Sequence, residues 1–171
     1  RLGAPGPQNL SSPPLSSARF RVELIDPAVT SDVAPNRVRD QTPDPMNNSR
    51  YGTMSIRRKF VNISSQPITR LRFRIIDITG YPFMTGTSDI RFINSGSTVA
   101  TRSDGTNVFV QGTTLETPPA QINGGGWNSS ATAHDVTMST PLQPNQSISL
   151  QFMLGVQETG YFRFFIVIEA L

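Results

Sequence analysis

Between Thr69 and Ile78 the chain alternates strictly, with apolar Leu71, Phe73 and Ile75 interleaved with Arg70, Arg72 and Arg74. A two-residue period puts each set on its own side of an extended chain, which is the pattern of a half-buried β-strand. The apolar side needs a second sheet to cover it. The run from Phe20 to Asp26 has the same period, with Phe20, Val22 and Leu24 opposed to Arg21, Glu23 and Ile25, and Pro27 ends it. Residues 52–61, a turn through 62–67, and the arginine-rich run are expected to form a hairpin. Further strands are expected over 89–93, 97–100, 107–110, 113–116, 133–140, 147–154 and 161–169, with Asp104-Gly105 marking a hairpin turn. In the penultimate run Ile148, Leu150, Phe152 and Leu154 face one way. The last run carries Phe162, Phe164, Ile166 and Ile168 on one face and Phe165 and Val167 on the other. A strand apolar on both faces is expected to be covered on both, by a loop or by another chain.

These elements predict an all-β chain: an antiparallel β-sandwich, Greek-key or jelly-roll-like, over residues 52–171, preceded by an N-terminal arm over 1–51. The first 18 residues are rich in Pro and Ser without an apolar period, so they cannot pack a core of their own. Extended at about 3.3 Å per residue, they reach roughly 60 Å, beyond the diameter of a domain this size. Residues 28–50 form a connection longer than compact domains usually contain, punctuated by Pro35, Pro43 and Pro45. That spacing separates the strand over 20–26 from the body and leaves it able to serve another subunit.

Composition narrows the function classes. The 171 residues contain no cysteine, so disulfides and thiolate metal sites are excluded. The net charge of +3 comes almost wholly from arginine, with Lys59 the only lysine, and these charges are spread along strands rather than massed in one arm or patch. Nucleic-acid binding is therefore not expected. No apolar run approaches the length of a membrane-spanning helix.

Candidate chemistry is sparse. His134 is the only histidine, and no Gly-x-Ser-x-Gly elbow accompanies it, so a catalytic triad or a histidine metal site is not indicated. Carboxylates occur singly in turns and at strand ends rather than as a glycosidase-like pair. An enzyme is not expected. Asp32, Asp40 and Asp44, or Asp77 with Asp89, are candidate oxygen ligands for a structural calcium, although no EF-hand spacing is present. The N-x-S/T acceptor pattern falls at Asn9, Asn47, Asn62, Asn128 and Asn145, in the arm, the long connection or expected turns. In Asn123-Gly-Gly-Gly-Trp127 the glycines offer a loop that presents Trp127 to a sugar or a partner. The stacked cations Arg70, Arg72 and Arg74 require anions between them, from Glu23, Glu169, a neighbouring subunit or an acidic glycan.

Ile56-Arg-Arg-Lys-Phe-Val-Asn62, Pro67 to Asp77, Gly112 to Pro119 with Asn123 to Gly126, and Phe152 to Phe165 together resemble a domain of uncharacterised secreted or surface proteins of environmental bacteria. The resemblance spans residues 52–171. In architecture the chain is also similar to subunits of extracellular fibrils, β-sandwiches linked by exchanged N-terminal strands. The resemblance implies a secreted structural subunit whose Phe20, Val22 and Leu24 fill a groove in the next copy, giving an open head-to-tail filament. The alternative expectation is a secreted carbohydrate-binding or adhesion module, with Trp127, Tyr81 and Tyr161 as its aromatic platform.

Overall fold

The computed structural model describes residues 15–79, 88–116 and 130–171. They form an all-β antiparallel sandwich with no α-helix among the described residues. One sheet is built on β3 (Thr53–Asn62), with β10 (Ser147–Glu158) along one side and β5 (Asp89–Ile93) beyond it. Along the other side of β3 lie two short strands end to end. β1 (Phe20–Leu24) pairs with residues 58–62 and β2 (Arg37–Asp40) with residues 53–56. The second sheet runs β11 (Arg163–Ala170), β4 (Leu71–Thr79), β9 (Ser130–Ala133), β8 (Thr113–Glu116). A separate hairpin pairs β6 (Thr98–Thr101) with β7 (Asn107–Val110) across the Asp104-Gly105 turn, where Gly105 takes φ 83°.

Three expectations are corrected. β3 and β4 are not a hairpin but belong to opposite sheets. The reason is Asn62, which is fully buried; its side-chain amide donates to the carbonyls of Gln66 and Leu142, both at 2.9 Å, and its oxygen accepts the Ser64 N–H at 3.0 Å. This clamp turns the chain out of one sheet and delivers Ile68 to Leu142, where the two exchange main-chain bonds of 3.0 and 2.8 Å. The strand expected over 133–140 lies instead at Ser130–Ala133, and residues 134–140 turn, leaving Val136 alone to reach the core. β2 carries a single apolar residue, Val38, so no period announced it. Connections that cross between the sheets, as in Greek-key winding, now include β3 to β4, β4 to β5, β9 to β10 and β10 to β11.

The crossing into β8 needs glycine. A Cβ on Gly112 would lie inside contact distance of the Ser95 carbonyl oxygen, because the chain passes Ser95 as it leaves Gln111 in the first sheet for Thr113 in the second.

The two sheets meet through phenylalanine. Phe152 of β10 lies 6.1 Å from Phe60 of β3, 4.8 Å from Phe73 of β4, 6.3 Å from Phe92 of β5 and 6.3 Å from Phe164 of β11, centroid to centroid. Edge-on and tilted packing of this kind adds to simple area burial. A second small cluster of Ile25, Ala100 and Val110 ties the segment after β1 to the β6–β7 hairpin.

Phe152→Ala removes a buried ring that touches strands of both sheets. It is expected to lower the unfolding free energy by about 3–5 kcal/mol. Chemical denaturation checks this; a loss below about 1 kcal/mol would mean that Phe152 is not the packing centre.

Candidate functional site

Among the described residues no further strand closes the side of the sandwich between β1 in one sheet and β11 in the other. The Arg57 N–H donates to the Asn36 carbonyl (2.9 Å) and the Ile63 N–H to the Arg19 carbonyl (3.0 Å), so the odd-numbered residues of β3 turn their main chain toward β1 and β2. In the register Arg21↔Val61 and Glu23↔Lys59, the main chains of Arg21 and Glu23 complete that ladder. Phe20, Val22 and Leu24 therefore direct their N–H and C=O outward while their side chains share the inner face with Phe60. The facing read from the sequence holds, but the edge position leaves Val22 48% exposed.

β11 presents the matching edge. Leu171 bonds to Arg70 and Thr69, so the alternate residues Ile166, Ile168 and Ala170 turn their main chain away from β4. The Ala170 carbonyl accepts the Leu15 N–H at 2.6 Å, which brings the segment before β1 against this edge. On the inner face Phe162, Phe164, Ile166 and Ile168 are only partly buried, and on the other face Phe165 is 50% exposed. Among the described residues β11 is thus an edge strand with apolar side chains on both faces. Edges of this type are ready templates for pairing with another strand.

The strand expected to be donated pairs here with its own β3, and the long connection behind it is not slack. Ile25, Asp26 and Asn36 are buried. The Asp26 N–H donates to Asn36 Oδ1 (2.9 Å), and the Asn36 amide donates to the carbonyls of Asp26 (2.7 Å) and Thr30 (3.1 Å). The Asp26 carboxylate accepts the N–H groups of Ser103 (2.7 Å) and Ala28 (2.9 Å), which hold its pKa below the usual aspartate range. Ile25, Asp26 and Asn36 therefore tie this connection to the sandwich and its hairpin, while β1, like β2, draws its sheet bonds from β3 alone. Neither Asp26 nor Asn36 stood out in the sequence; the Asp26-Pro27 turn pair was the one available signal.

The arginine ladder is neutralised within the sheet. Arg72 Nε donates to Glu169 Oε2 at 2.7 Å, Arg74 Nε to Glu169 Oε1 at 2.8 Å, and Arg70 Nη2 to Glu116 Oε1 at 2.5 Å, with Arg72 Nη1 3.8 Å from Glu116 Oε2. Thr132 also donates to Glu116. The network spans β11, β4, β9 and β8, and Arg72 and Glu169 are almost fully buried. Glu169 is one of the anions anticipated for it. Glu23, the other, pairs instead with Arg21 (2.6 Å) and Lys59 (3.0 Å). Glu116 was missed, because a lone glutamate at a strand end carries no pattern.

The remaining candidates separate. Asn62 is enclosed and engaged in hydrogen bonds, which puts it out of reach of modification in the folded chain. Asn47 and Asn145 are exposed, Asn145 at φ 67° in its turn. Asn9, Tyr81, Asn128 and Trp127 lie outside the described residues. Asp32, Asp40 and Asp44 each accept hydrogen bonds within their own turns, and no group of three metal-ligating side chains forms among the described residues. His134 is exposed and contacts the Thr114 hydroxyl. No helix among the described residues is long and apolar enough to cross a membrane.

Glu169→Gln leaves buried Arg72 with only the more distant Glu116 carboxylate and is expected to cost about 3–5 kcal/mol. Arg70→Gln, at the exposed end of the ladder, is expected to cost under about 1 kcal/mol. Equal losses in denaturant melts would show that burial does not grade this network. The Asp26 pKa is depressed on folding, so its contribution is present above the unfolded value near about 3.9 and is lost as pH falls through the folded value. Asp26→Asn is expected to be less stable than the parent near neutral pH, with the gap narrowing as pH falls below the unfolded aspartate value of about 3.9. A gap independent of pH would remove the carboxylate from the lock.

Compared with known proteins, the chain matches no family model, no curated protein and no solved structure.

Proposed function

We propose that the chain is a structural subunit of an extracellular, cell-surface fibril, joined to its neighbours by exchange of the N-terminal strand. The observation that carries this reading is the position of β1, a five-residue strand on an open sandwich edge, paired with β3 alone and followed at once by the buried Asp26 lock. In the exchanged arrangement β1 of one copy lies on β3 of the next, with the same register and with Phe20, Val22 and Leu24 on the same inner face. The ladder is re-formed rather than replaced, so exchange sacrifices no sheet contact. Residues 1–24 span roughly 80 Å when extended, enough to reach across a neighbour.

The pivot lies between Leu24 and Ile25, because Ile25, Asp26 and Asn36 are buried against the body. The contact is heterologous, donor edge to acceptor edge, so it propagates as a filament unless the rotation closes a ring. The partly buried inner-face residues Phe164, Ile166 and Ile168 of β11 supply the second wall of the acceptor groove. Among the described residues, exposed Asn47 and Asn145 are the glycan attachment positions consistent with export.

The test compares the full chain, its Arg21→Pro variant and a chain beginning at Ile25, by sedimentation and negative-stain microscopy up to roughly millimolar protein. The full chain is expected to form filaments. Arg21→Pro, which deletes a ladder donor, and the shortened chain are expected not to, and a peptide of residues 15–24 is expected to bind the shortened chain and raise its melting temperature. A full chain that stays monomeric throughout, or filaments that form equally without residues 1–24, would overturn strand exchange.

A further inference from the structure

At the β2 end of the open edge lies a cleft of about 480 Å³ lined by Arg37, Ile56, Arg58, Tyr161, Phe162 and Phe164. Two of these residues are cations. Arg37 donates from Nε to the Asp32 carbonyl (3.1 Å) and lies 3.8 Å from the Asp32 carboxylate in an exposed pair. Arg58 forms no ion pair among the described residues; Nη1 donates to the carbonyls of Arg57 (2.7 Å) and Asn36 (3.2 Å). Burial first, and the nearby charge of Arg37 second, pull the Arg58 pKa below the usual arginine value. The ladder on the other sheet shows how this chain treats close arginines: it places glutamates between them. Here the exposed Asp32 serves Arg37 from one side, and no carboxylate among the described residues reaches Arg58.

Two close cations of which only Arg37 has a carboxylate, set beside an apolar floor, are stabilised by an anion that arrives from outside to Arg58. The floor of Ile56, Phe162 and Phe164 suits a ligand with an apolar or ring-shaped body better than a small, strongly hydrated anion. Tyr161, 62% exposed at the rim, offers an aromatic face for such a ring. The volume falls within the range of small-ligand sites.

We propose that this cleft binds a uronic acid residue of an acidic polysaccharide, with the sugar ring on Tyr161 and its carboxylate on the Arg58 and Arg37 guanidiniums. The site goes beyond the strand-exchange reading and does not depend on it, since none of its residues belongs to β1. A surface polymer with this site on each subunit would hold acidic glycan along its length.

Calorimetric titration of the full chain with trigalacturonate tests the proposal, with a neutral galactose trimer, inorganic phosphate and an amidated Asp-containing tripeptide as comparisons. Trigalacturonate is expected to bind and to weaken as salt rises, with at least about a tenfold loss in Arg58→Met and several-fold in Tyr161→Ala, while Arg19→Gln leaves binding unchanged. Arg58→Met keeps the aliphatic stem and removes one of two like charges, so without ligand it is expected to melt no lower than the parent. Trigalacturonate is expected to raise the melting temperature of the parent and not that of the variant. No binding of trigalacturonate, equal binding of the neutral trimer or phosphate, or unchanged affinity in Arg58→Met would overturn the proposal. Tighter binding of the tripeptide would overturn the sugar assignment in favour of a peptide carboxylate.

Discussion

The structure depends on one ring. Phe152 sits where β3, β4, β5 and β11 converge, and each of those strands brings a phenylalanine to it. Two twisted sheets can share a dense core only where large side chains of both interdigitate. That contact fixes the separation of the sheets and the height at which β11 crosses the first sheet. Phe164 stacks on Phe92 and meets Phe152 at a tilt, so the beginning of β11 is held by the same cluster. Further along, Ile166 and Ile168 have no comparable partner ring among the described residues, and their burial is only partial.

The open edge follows from that asymmetry. The core is centred on β10 and β4, interior strands of their sheets, and β1 and β11 lie at its margin. A margin can be closed by long edge strands, by covering loops or by charge. This chain uses charge on the outer face of the β11 sheet, where Glu169 binds Arg72 and Arg74, and leaves the inner face apolar. Glu169 therefore holds β11 to β4 while contributing nothing to the groove beside it. The strand is anchored on one side and available on the other.

Much of the fold was legible because alternation is a direct consequence of strand geometry. The runs at Phe20, Leu71 and Ile148 needed no tertiary knowledge, and their facings hold. What failed depended on tertiary contact. The β3 to β4 connection resembles a hairpin until Asn62 is seen to bind Gln66 and Leu142, the latter 80 residues away. β2 exists because β3 extends past β1 and offers unpaired main chain, not because Arg37 to Asp40 favours a strand. β9, built of Ser, Ala and Thr, is small enough to sit beneath its neighbours and too small to show a period. In the candidate site the apolar residues of β1 and β11 were visible, as was Glu169. Asp26, Asn36 and the Arg37–Arg58 cleft were not, since each is assembled from segments whose proximity no local pattern encodes.

The hinge decides how exchange of β1 would be balanced. Because the same ladder forms in either arrangement, the contacts of β1 cancel, and the balance rests on the chain around Leu24 and Ile25 and on concentration. A strand tethered to its own sheet acts at an effective concentration on the order of millimolar, so a strand from a separate copy competes only where subunits are comparably crowded or the tethered strand is displaced first. The buried Asp26 carboxylate shortens the tether, since it fixes the main chain two residues after Leu24 to Ser103 of the hairpin. A short tether restricts the directions in which β1 can leave its own sheet. Under the strand-exchange proposal the subunit would close on itself when dilute and become a donor when crowded, with the switch set by the length of chain between Leu24 and Asp26 rather than by any contact that β1 makes.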